Sequence, residues 1–260
     1  MTLNALLLEE ENQVAHITLN LPETRNALSL ELLQELTGLL QDTGSKKHNK
    51  AVIIKGAGKH FSSGHNLQEV HGGTAQDVLR LFQTCYQTMQ AIRDMPQPVL
   101  AQVHGVATAA GCQLVSACDL AVASQDAQFG TPGVKIGLFC STPAVFLSRS
   151  IGRKKALEML LTGEMISAEQ ALQHGLVNKV VPARDLEQAT RDLACNIAQY
   201  SLDTLGLGKK FFYEQINMQD FQALEYATQV ISLNSTSADA AEGMAAFLEK
   251  RNPKWQDNQC

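Results

Sequence analysis

A chain of 260 residues with 45% hydrophobic residues and a net charge of -5 can bury the core of one large domain, or of one domain with a smaller appendage. The acidic balance argues against nucleic acid and against a membrane surface as partners, and no apolar run approaches the ~20 residues of a transmembrane helix. Met1 to Leu8 is followed at once by Glu9, Glu10 and Glu11, which fits neither the basic start of a signal peptide nor an Arg-rich transit peptide. Cys85, Cys112, Cys118, Cys140, Cys195 and Cys260 show no C-x-x-C pairing and sit mostly in apolar surroundings. Reduced thiols in a cytoplasmic protein are therefore expected.

Leu6–Glu10 and Val14–Leu19 read as paired strands around Asn12. Leu21 to Asn26 forms a turn. Ser29 then caps a helix whose Leu30, Leu33, Leu36, Leu39 and Leu40 recur at helical spacing. A polar connection, Lys46 to Lys50, leads to the strand Ala51–Ile54 and into a loop of small residues from Gly56 to Leu67. Thr74 opens a long helix through about Arg93, with Val78, Leu81, Phe82, Cys85, Met89 and Ile92 turned inward. Pro98–Val103 is a further strand. Short strands follow at Leu120–Ala123 and Gln128–Gly130, helices at Pro143–Ser150, Lys154–Leu161 and Ala168–His174, and a strand at Lys179–Val181. From Asp185 to Lys250 the pattern is purely helical. Strand alternating with helix predicts an α/β architecture with parallel strands, and the change of pattern places a boundary near Tyr200, dividing 1–200 from 201–260.

The stretch from Val103 to Asp119 organises the rest. A strand runs into a turn of small residues (Gly105, Ala107, Ala109, Ala110, Gly111) and then into the short apolar helix Cys112–Cys118. Nothing bulky separates the backbone there from whatever lies above it. The first N–H groups of a helix have no intrahelical partner and carry partial positive charge. Aimed at a carbonyl oxygen, such a donor stabilises an oxyanion, worth roughly 3–4 kcal/mol when one donor is lost. The same stretch also reads as a tight strand-to-helix crossover packed with alanine. His60, His71 and His104 have no metal-ligand spacing, and no metal or separate cofactor is expected.

Arg25-Asn26-Ala27-Leu28-Ser29, Phe61 to Leu67, Gly105 to Asp119, Phe129-Gly130-Thr131-Pro132, Leu161 to Ala168 and His174-Gly175-Leu176-Val177, in this order and spacing, resemble the crotonase (enoyl-CoA hydratase/isomerase) family over nearly the whole chain. The resemblance implies a spiral of stacked ββα units, with C-terminal helices that form a homotrimer or a dimer of trimers. It implies an acyl-CoA substrate, with coenzyme A entering only as part of it, and a lyase or isomerase chemistry. Its two carbonyl-holding backbone N–H groups fall on His65 and Ala110. Contacts to CoA fall on Arg25, Ala27, Leu28, His65, Asn66, Leu67 and Gln68, and on Phe247 and Lys250 near the C-terminus, beside Arg251.

Hydratases of the family use two glutamates; the matching positions here are Gln113 and Gly133, and the usual Asp of the first loop is Asn66. Glutamine orients a water but cannot take its proton, and glycine supplies nothing. Efficient hydration is therefore not expected. Decarboxylation of a malonyl-type thioester needs no base, because loss of CO₂ itself generates the enolate. Family decarboxylases, however, carry a tyrosine where this chain has Cys140. Thioester hydrolysis would use Cys140 or Ser141 as nucleophile with His65 as base, without a third group to orient it. A catalytically silent acyl-CoA binder remains the reading from a different class. In the plainer reading His65 only donates its backbone N–H, Cys140 is an apolar filler, and Gln113 bonds a backbone group.

Overall fold

The computed structural model describes residues 5–256, so Met1 to Asn4 and Cys260 lie outside the described residues. The chain opens with β1 (Leu6–Glu11) and β2 (Val14–Leu19), joined through Asn12 and Gln13, whose φ values of 52° and 63° form the two-residue turn that matches strand twist. Helix α1 (Leu30–Ser45) starts where Ser29 accepts a hydrogen bond from Leu32 N–H, and it buries Leu32, Leu33, Leu36 and Leu40. Next come β3 (Ala51–Gly56), a short α2 (Leu67–Gly72) and α3 (Ala75–Asp94), which is set by a Thr74–Asp77 capping box.

The middle of the chain repeats one theme. β4 (Val99–Val103) leads to β5 (Val106–Thr108) and α4 (Ala110–Ala117); β6 (Leu120–Ser124) leads to β7 (Gln128–Gly130), α5 (Ser141–Ser150) and α6 (Arg153–Thr162). β8 (Met165–Ser167), α7 (Ala168–His174) and β9 (Lys179–Val181) close the sequence of ββα turns. The six-stranded sheet has the order β1-β2-β3-β4-β6-β9, parallel from β2 onward; β5, β7 and β8 form the second, three-stranded sheet. This is the α/β spiral of the sequence-based expectation. β5, β8 and α2 were not expected. At three to six residues they are too short to show a period, although β7 and β9, also three residues long, were expected.

The large sheet is covered on both faces, so alternate residues enter different cores. Val14, Ala51, Ile53 and Leu100 meet Ala194 and Ala198 of α8 (Leu186–Ala198), while Ala15, Ile17, Val52, Ile54 and Ala101 join the main core with α1 and α3. The chain ends in α9 (Leu202–Gln215), α10 (Asp220–Ser235) and α11 (Ala238–Glu249); α10 buries none of its residues. Cys85, Cys112 and Cys118 are buried and Cys140 and Cys195 half-buried, all five as free thiols.

Asn26 locks the two segments that later frame the site. It is fully buried; its Nδ2 donates to the carbonyls of Ala57 (2.9 Å), His60 (2.8 Å) and Phe61 (3.1 Å), and its Oδ1 accepts from Leu21 N–H at 2.9 Å. Its φ of 52° is a conformation Asn tolerates better than most residues. Asn26→Ala strands these groups and is expected to lower unfolding free energy by about 2–4 kcal/mol, measured by urea titration. Asn26→Gly should be less harmful than Asn26→Ala, since glycine removes the backbone strain; equal losses would contradict this account.

Candidate active site

The loop after β3 is drawn against β5 and the start of α4 by backbone hydrogen bonds and by Thr108 Oγ1, which donates to Ser63 O at 3.1 Å. Ser62 N–H donates to Val106 O (3.1 Å) and Thr108 N–H to Ser62 O (3.0 Å), so the loop runs beside β5. On its other side Leu28 N–H donates to Gly64 O at 2.8 Å. Gly64 has φ +90°, and a Cβ there would lie 2.9 Å from both Ala109 Cβ and Thr108 O and 3.2 Å from Ala110 N. Only glycine lets the two segments meet this closely. Ala109, at φ 49° and ψ -118°, carries the strain of a sharp reversal, of the order of 1–3 kcal/mol for a residue with a Cβ. That reversal starts α4 at Ala110, while Ala109 N–H is held by Gly130 O at 2.9 Å.

Two donors are left over. Among the described residues, neither the N–H of His65 nor that of Ala110 has a protein acceptor. Both residues line one cavity of about 840 Å³. Its walls are mainly apolar, with Val78 and Phe82 from α3 on one side and Ile136, Leu138 and Phe139, from the segment before α5, on another. Glu23, Arg25 and Lys135 are its exposed charged lining residues, and Glu23 carries the only carboxylate among the lining residues described.

His65 also places its ring here. Nδ1 lies 3.3 Å from Leu28 O, and because that carbonyl can only accept, Nδ1 carries the proton and Nε2 the lone pair. The ring meets Phe82 edge-on at 4.8 Å between centroids, and Nε2 is buried without a partner among the described residues. Burial pushes the imidazole pKa below its ordinary 6.5, against the smaller opposing effect of the Leu28 carbonyl, so the ring is neutral near pH 7.

The positions expected to lack glutamates differ in kind. Gln113 sits three residues beyond Ala110 in α4, is 3% exposed, and its Oε1 has no partner among the described residues. The bond from Gln113 to a neighbouring backbone group, weighed from the sequence, is not seen at that oxygen. Gly133 lines the cavity, and a Cβ built on it would lie 2.5 Å from Leu138 O and 2.7 Å from Cys140 Sγ. The space a longer side chain would leave by is filled. Cys140 accepts the Gly133 N–H, and burial raises its thiol pKa, so the resting form is S–H.

Of the other residues expected at the site, Arg25, Ala27, Asn66, Leu67 and Gln68 line the cavity. Leu28 does not. It is fully buried and contributes through its backbone pairing with His65. Asn66 caps α2, its side chain accepting from Gln68 N–H at 3.1 Å, which gives that position a structural use. Phe247 and Lys250 are exposed and do not line the cavity of a single chain. Sequence reasoning missed Ile136, Leu138 and Phe139 as a wall. The available signal was three large apolar residues within four positions, at the end of a short 3-10 helix (Pro132–Ile136) and in the turn before α5.

The fold is one of stacked ββα turns, and residues 9–258 match the family described as enoyl-CoA hydratase/isomerase. The chain belongs to that family. It is 47% identical to the rat (Rattus norvegicus) enoyl-CoA hydratase domain-containing protein 3, mitochondrial, over 95% of this chain and 82% of that one. It is 33% identical to a probable enoyl-CoA hydratase of Mycobacterium bovis, over 98% and 99%. The crystal structure of human enoyl-CoA hydratase domain-containing protein 3 superposes with a TM-score of 0.95 at 44% identity, covering 97% of this chain and 100% of the other. An enoyl-CoA hydratase from Mycobacterium smegmatis gives 0.93 at 42% identity, covering 96% and 98%.

These relatives overturn the cytoplasmic expectation, since the rat, frog (Xenopus laevis) and human proteins are all named as mitochondrial. The physical reason is plain. Free thiols and the lack of a long apolar run suit any reducing aqueous compartment, so they could not single out the cytoplasm.

The buried neutral imidazole makes a test with a definite sign. Its folded pKa lies below the unfolded 6.5, so the unfolded chain binds more protons at low pH. The stabilisation from His65 is complete above pH 6.5 and is lost as pH falls from there through the folded pKa. The stability gap between the wild type and His65→Gln, read from urea midpoints, should shrink between pH 8 and pH 5. A gap that stays constant would show that the ring is not held neutral.

Proposed function

We propose that this chain binds an acyl-CoA thioester and holds its carbonyl oxygen between the N–H groups of His65 and Ala110, stabilising the enolate formed next to it. The observation that carries this reading is the pair of unpartnered amides lining one apolar cavity. Backbone donors need no reorganisation when charge develops on the oxygen. Arg25, Ala27 and the His65–Gln68 segment, which line the same cavity, are proposed to contact the CoA portion, with the Leu28 backbone behind them. Gln113 and Gly133 supply no acid or base. Each missing group is worth roughly 10²–10⁴-fold, so hydration of crotonyl-CoA should be slower by about 10⁴-fold or more than in an enzyme with both glutamates.

The lack of a proton-accepting carboxylate beside the amides favours one second reading. Decarboxylation of a malonyl-type thioester requires the enolate to be stabilised and no proton to be removed. Incubation with crotonyl-CoA and methylmalonyl-CoA, with products weighed by mass spectrometry, separates the possibilities: propionyl-CoA indicates decarboxylation, and no product with either indicates a silent binder. Carbonyl recognition is tested without turnover. Octanoyl-CoA should bind about tenfold more tightly than S-octyl-CoA, which lacks the carbonyl, as two hydrogen bonds of about 0.5–1 kcal/mol each would give. In Gly64→Ala, where the added Cβ forces the two segments apart, that ratio should fall toward one. Equal affinities in the wild type would remove the reading.

Residues 201–260 are proposed to assemble the chain into a homotrimer or a dimer of trimers. Phe221 (87% exposed), Phe247 (84%), Leu248 (79%) and Leu233 (74%) leave on these helices more apolar surface than a monomer tolerates. Phe247 and Lys250 would then reach the CoA bound by a neighbouring copy. Light scattering should give three or six times the chain mass, and Phe221→Glu with Leu233→Glu should lower it; a monomeric wild type would refute the assembly.

A further inference from the structure

We propose that a second cavity binds a small carboxylate with an apolar body, its anionic head paired with Arg93. This cavity, of about 490 Å³, lies where the C-terminal ends of α3 and α4 meet α5 and α9. It shares no lining residue with the cavity of the two amides, so the proposal stands apart from the acyl-CoA reading. Its charged lining residues, among those described, are Arg93, Asp119 and Arg149. Asp119 is already spent. Its Oδ2 lies 2.7 Å from Lys209 Nζ and accepts Val99 N–H at 2.7 Å, while Oδ1 accepts from the Tyr213 hydroxyl at 2.7 Å. Arg93 has no carboxylate at ion-pair distance among the described residues. Its Nη2 donates to Ser116 O at 3.0 Å, its Nε is buried without a partner, and its Nη1 makes no hydrogen bond to a described residue. The Tyr213 ring lies against the guanidinium, with Cζ 3.8 Å from the ring centroid, and the Phe146 ring is 5.3 Å away. A cation drawn partly out of water without a counter-ion is costly, and an incoming anion supplies one.

The hydrogen-bond inventory agrees. Ser116 Oγ donates to Cys112 O at 2.9 Å and Ser150 Oγ to Phe146 O at 3.0 Å. Asn178 Oδ1 accepts Ala121 N–H at 2.8 Å, and Arg149 Nη1 donates to Val145 O at 2.8 Å. What these side chains still offer a ligand is mainly donors: the remaining N–H groups of the two arginines and Nδ2 of Asn178. A ligand that meets donors under a positive excess has to bring acceptors and negative charge. Shape then selects among anions. An aromatic ring on the face of the guanidinium leaves its edge open, and a flat carboxylate takes parallel N–H bonds along such an edge. Phe146, Phe212 and Ile216 supply an apolar wall for the rest of the ligand.

Calorimetry with hexanoate on the full-length, assembled protein tests this. The expected result is one site per chain, with hexanol and inorganic phosphate each binding about tenfold more weakly or worse, and Arg93→Gln losing about tenfold or more in hexanoate affinity. Wild-type crystals soaked with ω-bromohexanoate give an answer that does not depend on how the variant folds. The anomalous signal of bromine should lie in the Phe146–Phe212 cavity, with the carboxylate on Arg93. Absence of hexanoate binding would overturn the proposal, as would equal binding of hexanol or phosphate, or an unchanged affinity in folded Arg93→Gln. Bromine found in the larger cavity would also overturn it, as would a carboxylate of a second copy seated on Arg93 in the wild-type crystal.

Discussion

One close contact governs the site: the Gly64 peptide lying against Ala109 and Ala110. A Cβ at Gly64 would sit 3.2 Å from Ala110 N, so the loop after β3 and the first turn of α4 touch through backbone alone. Side chains beside the contact help place the two donors: Asn26 Nδ2 donates to the His60 and Phe61 carbonyls, and Thr108 Oγ1 donates to Ser63 O. Both amides belong to segments already fixed by other bonds, the loop by Leu28 and Thr108, the helix start by the hold of Gly130 on Ala109. The cost is concentrated in Ala109, whose backbone reversal is unfavourable for a residue with a side chain. A core running under both segments offsets it: Phe61, Ala107, Cys112 and Phe129 are all fully buried around the junction.

The electrostatics of the cavity follow from the same arrangement. Burial holds the His65 ring neutral, and Glu23 is the only carboxylate among the described lining residues. Such a place suits an oxygen that gains negative charge and gives no help to a proton that must leave carbon. The formal -5 of the chain is carried elsewhere, while Arg25 and Lys135 stand among the lining residues, able to meet an anionic ligand despite the acidic total.

Much of this was legible in the sequence, for reasons that can be named. α1 and α3 announced themselves because Ser29 and Thr74 cap long runs with apolar residues at helical spacing, and the cap hydrogen bonds are present. The small residues from Gly105 to Gly111 marked the region because the chain is crowded there: a Cβ on Gly105 would meet Lys59 O and one on Gly111 would meet Ser62 O, while Ala109 and Ala110 line the cavity. What stayed hidden has physical causes too. The cavity wall of Ile136, Leu138 and Phe139 belongs to a segment with no period to read. Leu28 looked like a contact residue and proved to be a buried pairing partner, since sequence shows that a backbone is near a site but not which face it turns. Phe247 and Lys250 lie outside the cavity of a single chain, since neither helical spacing nor charge shows where a helix docks.

Gly133 and Cys140 have to be understood together. A glutamate at 133 would need a Cβ where Leu138 O and Cys140 Sγ already stand, so restoring that carboxylate alone would push on a backbone carbonyl as well as on a sulfur. A carbonyl held in a turn gives way less readily than a side-chain tip, because moving it drags the wall residues Leu138 and Phe139 with it. The Leu138 carbonyl and the Cys140 sulfur therefore leave no room for a side chain at position 133. Gln113 differs, since glutamate and glutamine are nearly the same size and no packing change separates them. In the proposed reading, Gln113→Glu changes a single atom type, whereas a carboxylate at position 133 requires the loop to be rebuilt.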